Sequence, residues 1–222
     1  MGLIQVSDYS IGGWTDPRSS KERARWYCER LEDTEILSFS CPPFELPEAD
    51  RTFLLGVDRK NSAHHKNISY KPDHEQVSGF SRGAVAERQL RRVMQSYSRS
   101  VVAFLSRFLI PYVGRWRVDF ASFRPLEEAG RDLPLRQRND LLHVDSFPTR
   151  PSNGNRILRV FTNLHPSRAR IWLTGEPFPA LIAHYGKAAG LETLAEKYRS
   201  PFRPVKRSFL RSARTLGLPF ID

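Results

Sequence analysis

Leu141-Leu142-His143-Val144-Asp145-Ser146 sets an imidazole and a carboxylate two residues apart. In an extended strand that spacing sends both side chains off one face, so the pair can grip a single ion. A second histidine from another strand would complete a facial set of two histidines and one carboxylate on Fe(II), leaving three adjacent positions for a chelating co-substrate and dioxygen. A His-x-Asp triplet alone is commonplace, and a lone strand histidine is more often simply hydrogen-bonded. Its surroundings strengthen the metal reading. The triplet follows a strand pattern, precedes the Pro-rich Phe147-Pro148-Thr149-Arg150-Pro151, and has Arg159 on the next predicted strand.

On that strand Arg159, Phe161 and Asn163 share one face, and Leu158, Val160 and Thr162 the other. The polar pair Arg159 and Asn163 is therefore expected to point into a barrel, where an arginine requires an anion. A guanidinium matches a carboxylate in a two-bond fork, so the far carboxylate of 2-oxoglutarate is the natural partner for Arg159. The competing reading is an edge strand with Arg159 in solvent. Arg124, Arg150 and Arg156 flank the triplet and together could read an acidic sugar, although each alone is an ordinary surface arginine in a basic chain. Lys66 and Asn67, in the polar stretch from Asp58 to Phe80, are secondary candidates on a loop.

The elements that must hold these groups are legible from periodicity. Between Ala84 and Phe108 the apolar residues Leu90, Met94, Tyr97, Val101, Phe104, Leu105 and Phe108 recur at spacings of three and four, which predicts one long helix, ended by Pro111 and Gly114. Glu35 to Cys41 reads as a short edge strand stopped by Pro42-Pro43. Trp116, Val118 and Phe120 alternate with polar residues and predict another strand. Arg156–Asn163 and Ala169–Thr174 are β-rich runs that could pair as a hairpin across the turn at His165-Pro166-Ser167. From Phe178 onward the pattern is helical. The expected organisation is an N-terminal segment, 1–34, a core, 35–196, and a basic tail, 197–222, with seven Lys or Arg and no acid between Lys197 and Arg214.

Composition narrows the partners. A chain of 222 residues with 40% hydrophobic residues fits one main core and excludes wholesale disorder. A net charge of +11 and a pI near 10.1 concentrate anions at its surface. Nucleic acid, an acidic membrane surface and a phosphorylated glycolipid all satisfy that field; no nucleic-acid module is visible, so a basic nucleic-acid-binding protein is the weakest alternative. Cys28 and Cys41 form no CxxC pair, which favours a reduced, cytoplasmic compartment. No export signal is evident, and Val6 stands where a myristoylation motif needs Ser or Thr. The most apolar stretch, Val101 to Val113, is interrupted by Ser106, Arg107 and Pro111 and falls well short of the ~20 residues needed to span a bilayer.

Lys66-Asn67-Ile68-Ser69, Ser122-Phe123-Arg124-Pro125, the run from Leu142 to Pro151, the run from Arg156 to Asn163, and Gly175-Glu176-Pro177-Phe178 occur in an order that resembles the Kdo hydroxylase family. The resemblance extends from about Glu35 to the chain end. It implies an α+β chain with a double-stranded β-helix (jelly-roll) oxygenase core and flanking helices. It implies Fe(II), 2-oxoglutarate and O2 as the requirements of a dioxygenase that hydroxylates Kdo on lipid A to Ko, acting in the cytoplasm, at an anionic membrane surface on the inner face of the inner membrane. By the same resemblance His143 and Asp145 fall on the metal-ligand triplet and Arg159 on a position that carries a 2-oxoglutarate-binding base in Jumonji-like relatives. The family's second histidine is expected beyond the basic tail, and the sequence ends at Asp222 before it. His165, in a turn, and His184, in a helical stretch, are not obvious substitutes. The expectation is thus a β-helix incomplete at its C-terminal end, with a truncated, non-catalytic relative that binds anionic glycolipid as the alternative.

Overall fold

The computed structural model describes residues 2–57, 68–80, 83–125, 141, 143, 152 and 154–199. It is a mixture of helices and small sheets. In chain order these are β1 (Leu3–Val6), β2 (Tyr9–Ser10), β3 (Gly13–Trp14), α1 (Ser20–Glu32), β4 (Ile36–Phe39), α2 (Glu48–Leu55), β5 (Ile68–Lys71), β6 (Gln76–Ser78), α3 (Ala84–Phe108), β7 (Ala121–Phe123), α4 (Phe178–Tyr185) and α5 (Leu191–Arg199).

The chain divides into two compact units, Met1–Glu127 with Val160–Arg170, and Glu128–Arg159 with Ile171–Asp222. In the first, β1 and β4 pair in parallel from Leu3↔Ile36 to Val6↔Phe39, with α1 as their connection. Asp16 accepts the backbone N–H of Arg18 at 3.1 Å, and Pro17 follows it, so a capped turn leads into α1. Ala24, Tyr27 and Cys28 are buried and Leu31 half-buried, a stripe at three- and four-residue spacing that turns α1 onto the core. The described residues of the N-terminal segment 1–34 thus hold a helix and three strands. The β4 strand falls inside the predicted Glu35–Cys41 span.

The α3 helix has the bounds its periodicity predicts. Leu90, Met94, Tyr97, Val101, Phe104 and Phe108 alternate steps of four and three, which keeps one seam facing inward for about five turns. That seam carries two hydrophobic clusters. Near its start, Leu90, Val93 and Met94 pack with Leu54, Val57, Ile68 and Tyr70. Near its end, Phe104 and Phe108 pack with Val6, Tyr9, Tyr27, Cys28, Phe44 and Leu109. Phe108 has Tyr9, Tyr27 and Phe104 as ring neighbours at 4.9, 5.0 and 5.2 Å. Each such pair adds about 0.5–1.5 kcal/mol to the burial of its area. After the helix, Gly114 takes a φ of +77°, which a side chain would disfavour.

The three-stranded antiparallel sheet runs β6-β5-β7. Two sequence expectations change here. Lys66–Ser69 was expected as a loop, yet Ile68–Lys71 is the central strand, with Ile68 and Tyr70 buried and Ser69 and Lys71 half-buried. The strand expected from Trp116 begins only at Ala121, paired with Tyr70. Pro72 opens a 3-10 turn after Lys71, so the partner ladder cannot continue alongside residues before Ala121. Likewise residues 156–163 and 169–174 carry no ladder among the described residues, and Ile171 and Leu173 are exposed. High β-propensity states how well a side chain fits a neighbouring strand, and no described strand lies beside these.

In the second unit, α4 and α5 bear out the helical reading of the stretch after Phe178. Among the described residues no helix is long and apolar enough to cross a membrane.

Candidate active site

His143 is exposed, and its Nδ1 lies 2.7 Å from the carbonyl oxygen of Leu141. A carbonyl only accepts, so Nδ1 is the donor of this contact. A metal-binding histidine is oriented in the same way, by donating its other ring N–H to a backbone carbonyl. Asp145, Arg150, Lys66 and Asn67 lie outside the described residues. Among the described residues no group of three or more His, Cys, Asp or Glu side chains is arranged to hold a metal ion.

Arg156 and Arg159 are exposed in the second unit, as is His143. Arg124 and Asn163 belong to the first. Arg124 is half-buried and immediately follows β7. The ladder there joins two of the sequence blocks singled out above, because Ile68 pairs with Phe123 and Ser69 with Ser122. Blocks more than fifty residues apart in sequence are therefore neighbours in one sheet.

From Arg159 to Leu164 the exposure alternates, with Arg159, Phe161 and Asn163 exposed and Val160, Thr162 and Leu164 half-buried. The alternation of period two is present although no ladder forms, but the face expected to point into a barrel, Arg159, Phe161 and Asn163, is the exposed one, and Leu158 is exposed as well. The carboxamide of Asn163 is engaged at both ends, its Oδ1 accepting the His165 backbone N–H at 3.1 Å and its Nδ2 donating to the Arg168 carbonyl at 2.7 Å. Nδ1 of His165 in turn accepts the backbone N–H groups of Ser167 and Arg168 at 3.2 and 2.9 Å. This network closes the predicted turn.

Two residues whose hold on this segment periodicity does not reveal, Tyr97 and Arg51, fix it. The hydroxyls of Tyr97 and Thr162 are 2.9 Å apart, and Arg51 Nε donates to the Leu164 carbonyl at 2.9 Å. Burial pushes the Tyr97 phenol above its ordinary pKa, so it stays protonated. These contacts join residues 65 and 113 positions apart, and no local pattern encodes them. A surface depression of about 400 Å³ runs along α1 from Arg25 to Asp33 and reaches Pro111; it includes none of the candidate residues.

Comparison with known proteins adds to this geometry. A family model described as 3-deoxy-D-manno-oct-2-ulosonic acid (Kdo) hydroxylase matches residues 14–215. The apo structure of the Kdo hydroxylase KdoO, a non-haem Fe(II) α-ketoglutarate-dependent dioxygenase, is 32% identical with a TM-score of 0.72, over 96% of this chain and 66% of that one. The cobalt(II) complex of KdoO gives 32% identity and a TM-score of 0.73, over 95% and 65%. The complex with α-ketoglutarate and Fe(III) gives 32% and 0.72, over 96% and 66%. The chain spans just under two thirds of the length of these KdoO chains. No curated protein matches it by sequence.

Proposed function

The chain belongs to the Kdo hydroxylase family, and on that premise we propose that it is the scaffold of an Fe(II)- and 2-oxoglutarate-dependent dioxygenase that hydroxylates Kdo on lipid A to Ko. The proposed architecture is a double-stranded β-helix core with flanking helices, within residues 35–196. The proposed location is the cytoplasm, peripheral to the inner face of the inner membrane, where the basic tail 197–222 meets anionic lipid.

The observation that carries the reading is the match of the Kdo hydroxylase family model to residues 14–215, and the 2.7 Å contact between His143 Nδ1 and the Leu141 carbonyl supports it by orienting the ring as a metal-binding histidine is oriented. In the proposal His143 and Asp145 hold the iron, and the donor set, one imidazole and one carboxylate two residues apart, fits Fe(II). Arg159 pairs with the far carboxylate of 2-oxoglutarate through its two-bond fork, and Asn163 offers its remaining carboxamide hydrogen to the same molecule. Arg124, Arg150, Arg156, Lys66 and Asn67 bind the carboxylate and phosphates of the glycolipid. Iron, 2-oxoglutarate and O2 together supply the oxidising power, with succinate and CO2 as the co-products. The protein's own part is to bind, orient and exclude water.

The test is anaerobic addition of Fe(II) and 2-oxoglutarate, which is expected to give a visible charge-transfer band, followed by O2 and Kdo-containing lipid A, which is expected to release succinate in step with hydroxylated sugar. A silent spectrum sinks the oxygenase reading. Glycolipid binding with a silent spectrum would favour the non-catalytic alternative.

A further inference from the structure

We propose that Tyr97 and Arg51 are positioning residues for the 2-oxoglutarate side of the site, clamping the chain at Thr162 and at Leu164, on either side of Asn163. The inference rests on the reading of Asn163 given above.

Extended backbone without a ladder has nothing in its own hydrogen bonding to fix its place, and residues 156–163 have no ladder among the described residues. What fixes this stretch comes from two helices. From α3, the Tyr97 hydroxyl meets Thr162 Oγ1 at 2.9 Å, while its ring lies edge-on to Phe44 at 5.8 Å, so the hydroxyl is presented by a packed side chain. From α2, Arg51 donates to the Leu164 carbonyl at 2.9 Å and is steadied by Glu48 at 3.3 Å. The Leu164 side chain adds an apolar hold by packing on the Leu90–Met94 cluster.

Alternate residues of extended backbone point to opposite sides. Holding Thr162 and Leu164 against the core therefore turns Asn163 outward, as its exposure shows. The bonds from Asn163 to His165 and Arg168 then set the rotation of its carboxamide. One Nδ2 hydrogen and one Oδ1 lone pair are left over from those two bonds. Their direction depends on the clamp, and a displacement of ~1 Å at a positioning contact is costly for a bound substrate.

A double-mutant cycle separates this role from simple support. Tyr97→Phe removes one hydroxyl and keeps the ring; Thr162→Val removes the other and keeps the shape. Each is expected to weaken 2-oxoglutarate binding to the Co(II)-loaded protein by about fivefold, the equivalent of one neutral hydrogen bond. The double variant is expected to be no weaker than either single one, with Co(II) affinity unchanged. Arg51→Lys, which lacks the Nε donor, is expected to have the same effect. Hydrogen exchange provides a second readout, in which amides near 162–164 exchange faster in all these variants while those of α3 do not. Unchanged exchange at 162–164 overturns the clamp. Faster exchange with unaltered 2-oxoglutarate affinity overturns its role at the site. A wild-type protein that takes no 2-oxoglutarate overturns the reading of Asn163 and this role with it, while the exchange data still decide whether the clamp exists.

Discussion

Arg92 on α3 holds its Nη2 2.7 Å from Oδ1 of Asp50 on α2, and the two ends of this pair sit in different surroundings, the aspartate side chain 6% exposed and the arginine 61%. A buried carboxylate with one charged partner is stabilised by that partner out of proportion to the contact, because removing it leaves the charge desolvated and alone. Water reaches the arginine end and softens the loss. Arg92→Ala is expected to cost about 2 kcal/mol, a fall in Tm of about 4–8 °C for a chain this long. Arg88→Ala, an exposed change one turn earlier, is expected to stay within about 0.5 kcal/mol. Thermal melts of the two variants check the difference, and equal Tm values would remove Asp50 from the list of stabilising contacts.

The Tyr27 phenol predicts loss of stability in alkali. Its pKa is pushed up to about 12, first by burial, then by Asp8, which accepts its O–H at 2.9 Å and repels the phenolate, with Arg23 acting in the opposite direction. In the unfolded chain a tyrosine ionises near pH ~10. Below that value both states keep the proton and the stabilisation is complete. As pH rises from 10 toward 12 the unfolded state loses its proton first, so folding stability falls. The Cys28 thiol, pushed to about 11 by burial and by the nearby Glu32 and Glu29, adds a fall of the same sign from pH 9 upward. Melts recorded from neutral pH to 12 are expected to show this decline. Tyr27→Phe is expected to flatten its upper part, and an unchanged slope in that variant would rule the phenol out as its source.

How much of this was legible in the sequence depends on how local each signal is. The α3 helix was read to the residue because its seam repeats from Leu90 to Phe108 and every repeat carries the same information. The α1 helix carried the same kind of stripe in Ala24, Tyr27, Cys28 and Leu31, but the polar residues around it obscured it. Strands were harder. Trp116–Ala121 alternates as a strand should, yet where pairing starts is set by Pro72, some fifty residues earlier, across the sheet. On the candidate site, the alternation of Arg159–Leu164 was legible from period two, whereas which face turns outward and the grip of Tyr97 and Arg51 on that stretch were not. Tyr97 occupies a seam position and reads as core, and only the folded chain shows that its hydroxyl reaches Thr162.

The surroundings of two histidines in the second half of the chain lead to the last prediction, about which of them binds metal. His143 donates from Nδ1 to the Leu141 carbonyl, the contact by which a metal-binding histidine is oriented. The accepting nitrogen of His165 is already engaged in its own turn, Nδ1 taking the backbone N–H groups of Ser167 and Arg168. A ring whose accepting nitrogen closes a turn would have to break that turn to bind an ion. Titration with Co(II), in the absence of 2-oxoglutarate, is therefore expected to show affinity reduced at least about tenfold in His143→Ala. The same titration of His165→Ala is expected to match wild type within about twofold, a difference below 0.5 kcal/mol. Equal losses in the two variants, or none in His143→Ala, would mean that the contact with Leu141 serves only local backbone structure and that the metal reading of residue 143 is wrong.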